Sequence, residues 1–389
     1  MPRGIWMLGF VSLLMDVSSE LIHSLLPVFM VSALGASAFL VGIVEGVAEA
    51  TALVVKVFSG VISDRLGKRK ALAVFGYGLG ALSKPLFALA LSVPWVLAAR
   101  FMDRVGKGIR GAPRDALIAD LSPPQIRGAA YGLRQSLDTV GAFLGPLLAI
   151  ALMAAFAGEF RTVFWFAVIP GVLSVWLLVA GVHEPKAPER DRAASVPIQW
   201  RTLAQLGREY WWVAILGAIF TLARFSEAFL ILRAQQNGLP DTFAPAVLVV
   251  MNIVFALAAY PVGRLADRMS HGLLLGAGLI VLIASDLLLA QAQDLTGIWA
   301  GVALWGLHMG MTQGLLATMV ARAAPPQLRG TAFGFFNLAS GVSMLVASAL
   351  AGLLWDSFGA SVTFYCGAAF AGVALITLLG GATKGTPTR

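Results

Sequence analysis

The stretch "SPPQIRGAAYG" at residues 122–132 returns as "APPQLRGTAFG" at 324–334, displaced by 202 residues. A second pair, "GVISDR" at 60–65 and "GRLADR" at 263–268, is displaced by 203. Two matches at nearly one offset mark an internal duplication. The fold is therefore two copies of one unit, and what remains to be read is the content of a copy.

Of the 389 residues, 58% are hydrophobic and 12% are charged, and the mean hydropathy is +0.83. Soluble domains carry about 25% charged residues, which places this chain outside their range. A helix needs about 20 apolar residues to cross the hydrocarbon. Twelve stretches qualify, near 5–31, 38–62, 71–92, 94–118, 126–155, 160–182, 209–235, 243–264, 272–292, 295–321, 328–355 and 359–380. Six spans fall in each copy. An even number gives both copies the same orientation, so they are parallel repeats about an axis along the membrane normal. The polar segment 183–209, "HEPKAPERDRAASVPIQWRTLAQLGRE", is rich in charge and proline and reads as a linker. The expected organisation is a six-helix bundle over 1–182, a cytoplasmic linker over 183–208, and a second six-helix bundle over 209–389.

The net charge of +8 comes from basic residues in alternate loops, such as Lys68, Arg69 and Lys70, then Arg127, Lys186, Arg190 and Arg192, and then Arg264 and Arg322. The intervening loops ("ALGAS", "LSVP", "QAQDLTG", "DSFGAS") have no basic residue. The positive-inside rule then puts both termini in the cytoplasm and accounts for the charge without a nucleic-acid partner. The first stretch is too long and too acidic for a cleaved signal and is expected to stay as a span. Cys366 is alone, so no disulfide framework exists. An inner-membrane location is expected, with the bilayer as the surrounding partner.

The turn "GVISDRLGKRK" at 60–70 resembles the signature loop of the major facilitator superfamily, G-x-x-x-D-R-x-G-R-R. Gly60, Asp64, Arg65, Gly67 and Arg69 match, and Lys68 stands in for the first arginine of the closing pair. Gly60 would permit close helix approach, while Asp64 would pair with an arginine or a helix N-terminus and latch the cytoplasmic face. Asp267 and Arg268 repeat the core of this gate in the second copy. The fourth span, "VLAARFMDRVGKGIRGAPRDALIAD", resembles the same family's fourth-helix motif, with Arg100 at the position that the resemblance ties to proton handling. It departs at Asp103 and Arg104, where an amide and a glycine are usual. "GAFLGP" at 141–146 resembles the G-x-x-x-G-P motif of proton-driven exporters, with Leu148 and Ala149 in place of the trailing glycines. Gly141 and Gly145 would allow close packing and Pro146 would bend the helix.

Ionisable groups at membrane depth are costly and usually mark pathways or relays. On a helical wheel Asp16, Glu20 and His23 lie within about 60° of one another, and Glu45, Glu49 and Lys56 within about 40°. Lys84 stands midway through the third span, and Arg134 and Asp138 are an i, i+4 pair in the fifth. Across the first copy's spans seven acids face eight bases, which implies a paired network. The second copy is poorer, with Arg224 and Glu227, Asp286, and the polar Asn252, His308, Gln313 and Asn337. The family resemblance implies a division of labour. Asp16, Glu20, Glu45, Glu49, Lys84, Arg100, Arg104, Arg134 and Asp138 would handle the coupling ion. His23, Arg224, Glu227, Asn252, His308, Gln313 and Asn337 would line a substrate cavity. Some of these pairs are expected to be structural, and His308 reads equally as a hydrogen-bonded core residue.

The expected function is secondary active transport by alternating access, with proton-coupled antiport exporting a small organic molecule. Protonation of Glu20, Glu45 or Glu49 would break pairs with Arg100 or Lys84. Sodium is the alternative coupling ion, and a monomer is expected. The competing readings are proton-coupled uptake of an anionic metabolite held by Arg100 and Arg104, transport of a metal or metal chelate through Asp16, Glu20 and His23, and a membrane sensor that keeps the fold without transporting. Neither H-x-x-x-H nor a cysteine pair supports a metal site, and no nucleophile–base spacing points to an enzyme. No cofactor is expected.

Overall fold

The computed structural model describes residues 1–66, 68–184, 203, 205–266, 269–325 and 328–382. Linker residues 185–202 and 204, Gly67, Asp267 and Arg268 fall outside them, as do the side chains of Asp64 and Arg65. All regular structure among the described residues is helical. In order these are α1 (Arg3–His23), α2 (Leu26–Val28, continued by a π turn over Phe29–Ala33), α3 (Ala38–Leu66), α4 (Arg69–Ala88), α5 (Val93–Leu121), α6 (Arg127–Ala155) and α7 (Phe160–Gly181). They are followed by α8 (Arg208–Ala223), α9 (Ala228–Gln236), α10 (Ala246–Ala266), α11 (His271–Gln291), α12 (Leu295–Thr312), α13 (Leu315–Ala323), α14 (Arg329–Phe358) and α15 (Ala360–Ala382).

Ten segments are long and apolar enough to cross a membrane by composition. The heavily charged α5 and the interrupted α12–α13 pair supply the other two spans of a twelve-helix, all-α membrane protein. Trp176, Leu257 and Ile376 are 64%, 72% and 72% exposed. Water would penalise such a surface, whereas hydrocarbon covers it without cost.

The chain forms two compact units, Met1–Leu34 with Val47–Pro197, and Gly35–Gly46 with Ile198–Arg389. In the first unit α1 packs on α6 and α7, and α4 packs on α5 and α7. Ile5, Leu8, Val11 and Met15 of α1 fill one core with Tyr77, Leu117, Ile118 and Leu178. Lipid removes most of the hydrophobic drive between helices, so close backbone approach and interhelical hydrogen bonds must hold them. Both occur here. A Cβ on Gly76 would stand 2.7 Å from the Arg110 backbone nitrogen, and one on Gly106 would stand 2.6 Å from the Gly76 carbonyl. Ser18 and Ser174 donate to the carbonyls of Ala167 and Val11 at 2.6 and 2.9 Å.

In the second unit α11 packs on α12 and α15, α10 on α12, and α8 on α14 and α15. The first turns of α3 also belong to this unit. Gly42 and Gly46 lie against the backbone of α14 at Ser348 and Leu345, and Gly352 of α14 lies against the Ala38 carbonyl. The Asp356 carboxylate then accepts from the Ala38 and Phe39 backbone N–H groups at 3.0 and 2.9 Å. It satisfies two of the donors that the start of α3 leaves open. Replacing this cap by Asp356→Ala is expected to cost about 1 kcal/mol and to lower the melting temperature of the purified protein by a few degrees; an unchanged melt would show that the cap is idle.

Candidate functional site

The first unit gathers its charges where α1, α3, α4, α5 and α6 meet. Lys84 of α4 and Asp103 of α5 form an ion pair at 2.7 Å, with side chains 1% and 3% exposed. The same ammonium donates to Ser19 of α1 at 3.0 Å, and Ser83 donates to Asp103 at 3.4 Å. Arg104, one residue on, pairs with Glu49 of α3 at 3.0 Å. Glu20 is partnered by His23 one turn along α1, at 3.4 Å.

Lys84 is taken by Asp103 rather than by a glutamate, and Glu49 pairs with Arg104. A helix turning 100° per residue puts Arg100, Asp103, Arg104 and Lys107 on one side of α5. Asp103 is thus a functional candidate absent from the expected ion-handling set. Its signal was the departure from the family motif, an acid among bases at i, i+4 from Lys107.

Farther along α5 and α6 lies a second cluster. Arg134 and Asp138 form the expected i, i+4 pair. Arg114 reaches Asp138 at 4.0 Å and Asp115 at 3.1 Å. Arg114 also donates to Ser12 at 3.2 Å, while Arg110 lies over the Tyr77 ring at 4.9 Å. Asp16 is half-buried between the two clusters, and the charges acting on it are Asp138, Lys107, Arg110 and Glu20. Arg100 and Glu45 are buried, at 2% and 1% exposure. Lys56, on the wheel beside Glu45 and Glu49, is exposed.

The "GAFLGP" motif explains how α1 comes so near α6. A Cβ on Gly141 would lie 2.7 Å from the Leu13 carbonyl and 2.9 Å from the Asp16 Cβ, and one on Gly145 would lie 2.8 Å from the Glu20 Cβ. The two glycines seat the two turns of α1 that carry its acids. Pro146 follows, buried inside α6. At the other end of the motif set, Gly60 has an ordinary contact: a Cβ there would meet Ala112 at 3.7 Å. The tight approach between α3 and α5 is at Gly108 instead, where a Cβ would stand 2.6 Å from Val55. Arg69 of the expected gate pairs with Asp120 at the end of α5, and its backbone N–H donates to Glu184 at 2.6 Å.

The second unit places its polar residues at interruptions in two spans. The span expected over 209–235 breaks between α8 and α9, and Arg224 and Glu227 are in that break. The span expected over 295–321 breaks at Gln313 and Gly314, where Gly314 adopts the left-handed φ of +77°. Non-helical backbone at membrane depth is tolerated where it is buried in protein or lines a water-filled cavity. The Arg224 guanidinium lies 5.7 Å from the Phe220 ring centre, and Phe220 packs on the His308 ring at 5.6 Å. His308 Nδ1 shares a hydrogen bond with the Gly278 carbonyl at 2.8 Å. Asn252 of α10 and Asn337 of α14 are half-buried, and Gln313 is exposed. Asp16, Glu20 and His23 share a helix face, yet among the described residues no three His, Cys, Asp or Glu side chains gather as a metal-holding group.

A buried charge left without its partner costs about 3–5 kcal/mol, whereas replacing the pair with apolar groups is often neutral. Lys84→Met alone is therefore expected to lower the melting temperature sharply, and Lys84→Met with Asp103→Leu to recover most of the loss. Additive losses in the double variant would exclude a direct pair.

Against known proteins, the family model described as Major Facilitator Superfamily matches residues 8–347, with a further match over 228–388. An uncharacterised MFS-type transporter of Methanocaldococcus jannaschii is 31% identical over 388 residues, covering 97% of this chain and 95% of its own. The multidrug resistance protein MdtH of Proteus mirabilis is 26% identical over 82% of this chain and 78% of its own. Among solved structures, that of the nucleoside transporter NupG superposes with a TM-score of 0.81 at 12% identity, covering 97% of this chain and 99% of that one.

Proposed function

The chain belongs to the Major Facilitator Superfamily, and from that premise we propose that it exports a small organic molecule in exchange for protons. Membrane transport of a small molecule follows from the family; direction, coupling ion and substrate class are this proposal. The observation that carries it is the Glu49–Arg104 pair beside the buried Lys84–Asp103 pair. Four ionisable groups from three helices sit within one unit of a membrane protein, three of them almost fully enclosed. Structural needs alone would be met by apolar side chains of the same volume. Ionisable groups kept at such depth are typical of proton relays.

The mechanism assigns Glu49 the exchangeable proton. Its side chain is 34% exposed while Arg104 is 4% exposed, so a proton reaches the acid end of the pair first. Protonating Glu49 removes the attraction that holds α3 to α5 at this level and frees Arg104 to turn toward another acid. Asp16 and Glu20, seated by Gly141 and Gly145, are the acids of α1 within the same field of charges. Substrate binding favours the deprotonated form, and proton binding favours substrate release. The interrupted spans at Arg224 and at Gln313 supply the cavity wall in the second unit, where unwound backbone and a cation-bearing side chain meet aromatic surface. The MdtH relative, a multidrug resistance protein, supports export of an organic molecule. We place the protein in the bacterial inner membrane with both termini cytoplasmic, a reading that the distribution of basic loops supports.

Reconstitution into vesicles of phosphatidylethanolamine and phosphatidylglycerol, with an imposed proton gradient and a panel of fluorescent lipophilic dyes, tests this reading. The wild-type protein is expected to drive dye against its gradient. Glu49→Gln is expected to lose proton-driven transport at least tenfold while keeping dye exchange without a gradient. Equal gradient-driven transport by both proteins would remove Glu49 from the coupling.

A further inference from the structure

Asp286 of the second unit is an acid that neither the ion network of the first unit nor the interrupted spans use. Asp286 lies on α11 with 0% exposure, and neither carboxylate oxygen has a hydrogen-bond partner. No ion pair reaches it among the described residues. Its wall is apolar and close. Asp286 Oδ2 and Phe225 Cε1 each stand 2.8 Å from the point that a Cβ on Gly367 of α15 would occupy. Only glycine leaves room for the carboxyl at that point. Phe225 in turn packs on Trp305 at 5.5 Å and on Phe364 at 5.5 Å. The Trp305 indole N–H is buried there without an acceptor.

The titratable groups of the neighbouring elements are few, and none of them bonds to the Asp286 carboxyl. From α12 there is His308, bound to the Gly278 carbonyl two turns along α11. From α15 there are Tyr365, 43% exposed, and the thiol of Cys366. From α13 comes Arg322, which is exposed. From the break before α9 come Arg224, turned over Phe220, and Glu227. An isolated carboxylate in so dry a place would cost far more than a neutral carboxylic acid, which needs one donor satisfied rather than a full charge solvated. The adjacent Ser285 spends its hydroxyl on the Gly301 carbonyl at 2.8 Å and offers the acid nothing.

We propose that Asp286, enclosed by Phe225 and Gly367, holds a proton in this conformation and is a second proton-exchange site of the transport cycle, located in the second unit. A purely structural role is a poor use of an aspartate whose oxygens bond to nothing, because leucine would fill the space at lower cost. The acid acquires a purpose if α11 and α15 part in another conformation, water reaches the carboxyl, and the proton leaves. The reading of the first unit as proton-coupled is its premise, so the test separates the two.

Infrared spectroscopy of the reconstituted wild-type protein and of Asp286→Asn reads the proton without any transport. The expected result is a protonated-carboxyl band in the wild type that persists at a buffer pH where exposed acids have ionised and that is absent from the variant. No difference between the two spectra would overturn the proposal. Dye transport then reads its role. Asp286→Asn is expected to melt with the wild type and to lose at least tenfold of proton-driven transport, with the dependence on external pH flattened. A variant that transports with the wild-type pH dependence would overturn the exchange role, leaving a fixed proton. Should Asp286→Asn fail to fold, Asp286→Glu serves, because it keeps the carboxyl and is expected to shift the band and the pH dependence together. A wild-type protein that shows the band yet no proton-driven transport would refute the coupling reading itself and not the location of the proton.

Discussion

The ion pair between Lys84 and Asp103 is the contact on which the arrangement of the first unit turns. Two opposite charges, nearly fully enclosed and 2.7 Å apart, can exist at membrane depth only if both are present and their remaining valences are met. Ser19 accepts from the Lys84 ammonium, and the Ser83 hydroxyl lies 3.4 Å from the Asp103 carboxylate. That requirement ties α1, α4 and α5 into one body and sets the rotation of α5 about its axis. Arg104 follows from that rotation, since the residue after Asp103 must then face α3 and Glu49. The glycines do the complementary work. Gly76 and Gly106 bring α4 and α5 into backbone contact, and Gly141 and Gly145 bring α6 against the acids of α1. Charge pairing and small residues thus replace the hydrophobic drive that lipid withholds.

The second unit solves the same problem with fewer charges. Its polar groups occur where helices are interrupted, at Arg224–Glu227 and at Gln313–Gly314, and its core is aromatic around Phe225, Trp305 and Phe364. Arg233 ties off the end of α11 by donating to the carbonyls of Leu289 and Ala292 at 3.0 and 2.9 Å. A duplicated chain has therefore diverged into a charge-rich half and a half with fewer charges, whose polar side chains gather at the breaks of two spans.

Much of this was legible in the amino-acid order. Hydropathy and the offset repeats reach the twelve spans because each depends on composition over some twenty residues, and composition averages well. The role of "GAFLGP" was legible for a similar reason, since a glycine four residues from another has few uses in a membrane helix other than close packing. Partner choice was not legible. Lys84 had Asp103, Glu20 and Glu49 within plausible reach, and the outcome depends on the azimuth of α5, which the position of its own charges cannot define alone. Gly60 shows the limit of motif reasoning, because the close approach expected there falls at Gly108, on the other helix. The helix breaks were missed as well: "RFSE" carries no proline or glycine, and only packing decides that α8 stops at Ala223.

The central claim, the proposal's own, is that substrate binding favours the deprotonated form of the Glu49–Arg104 pair. It is tested most directly by proton release on binding. A compound that raises the melting temperature of the purified protein is added to it in weakly buffered detergent solution containing a pH indicator. The account predicts that binding expels protons and that the release diminishes in Glu49→Gln. Tight binding with no proton release at any pH would contradict it.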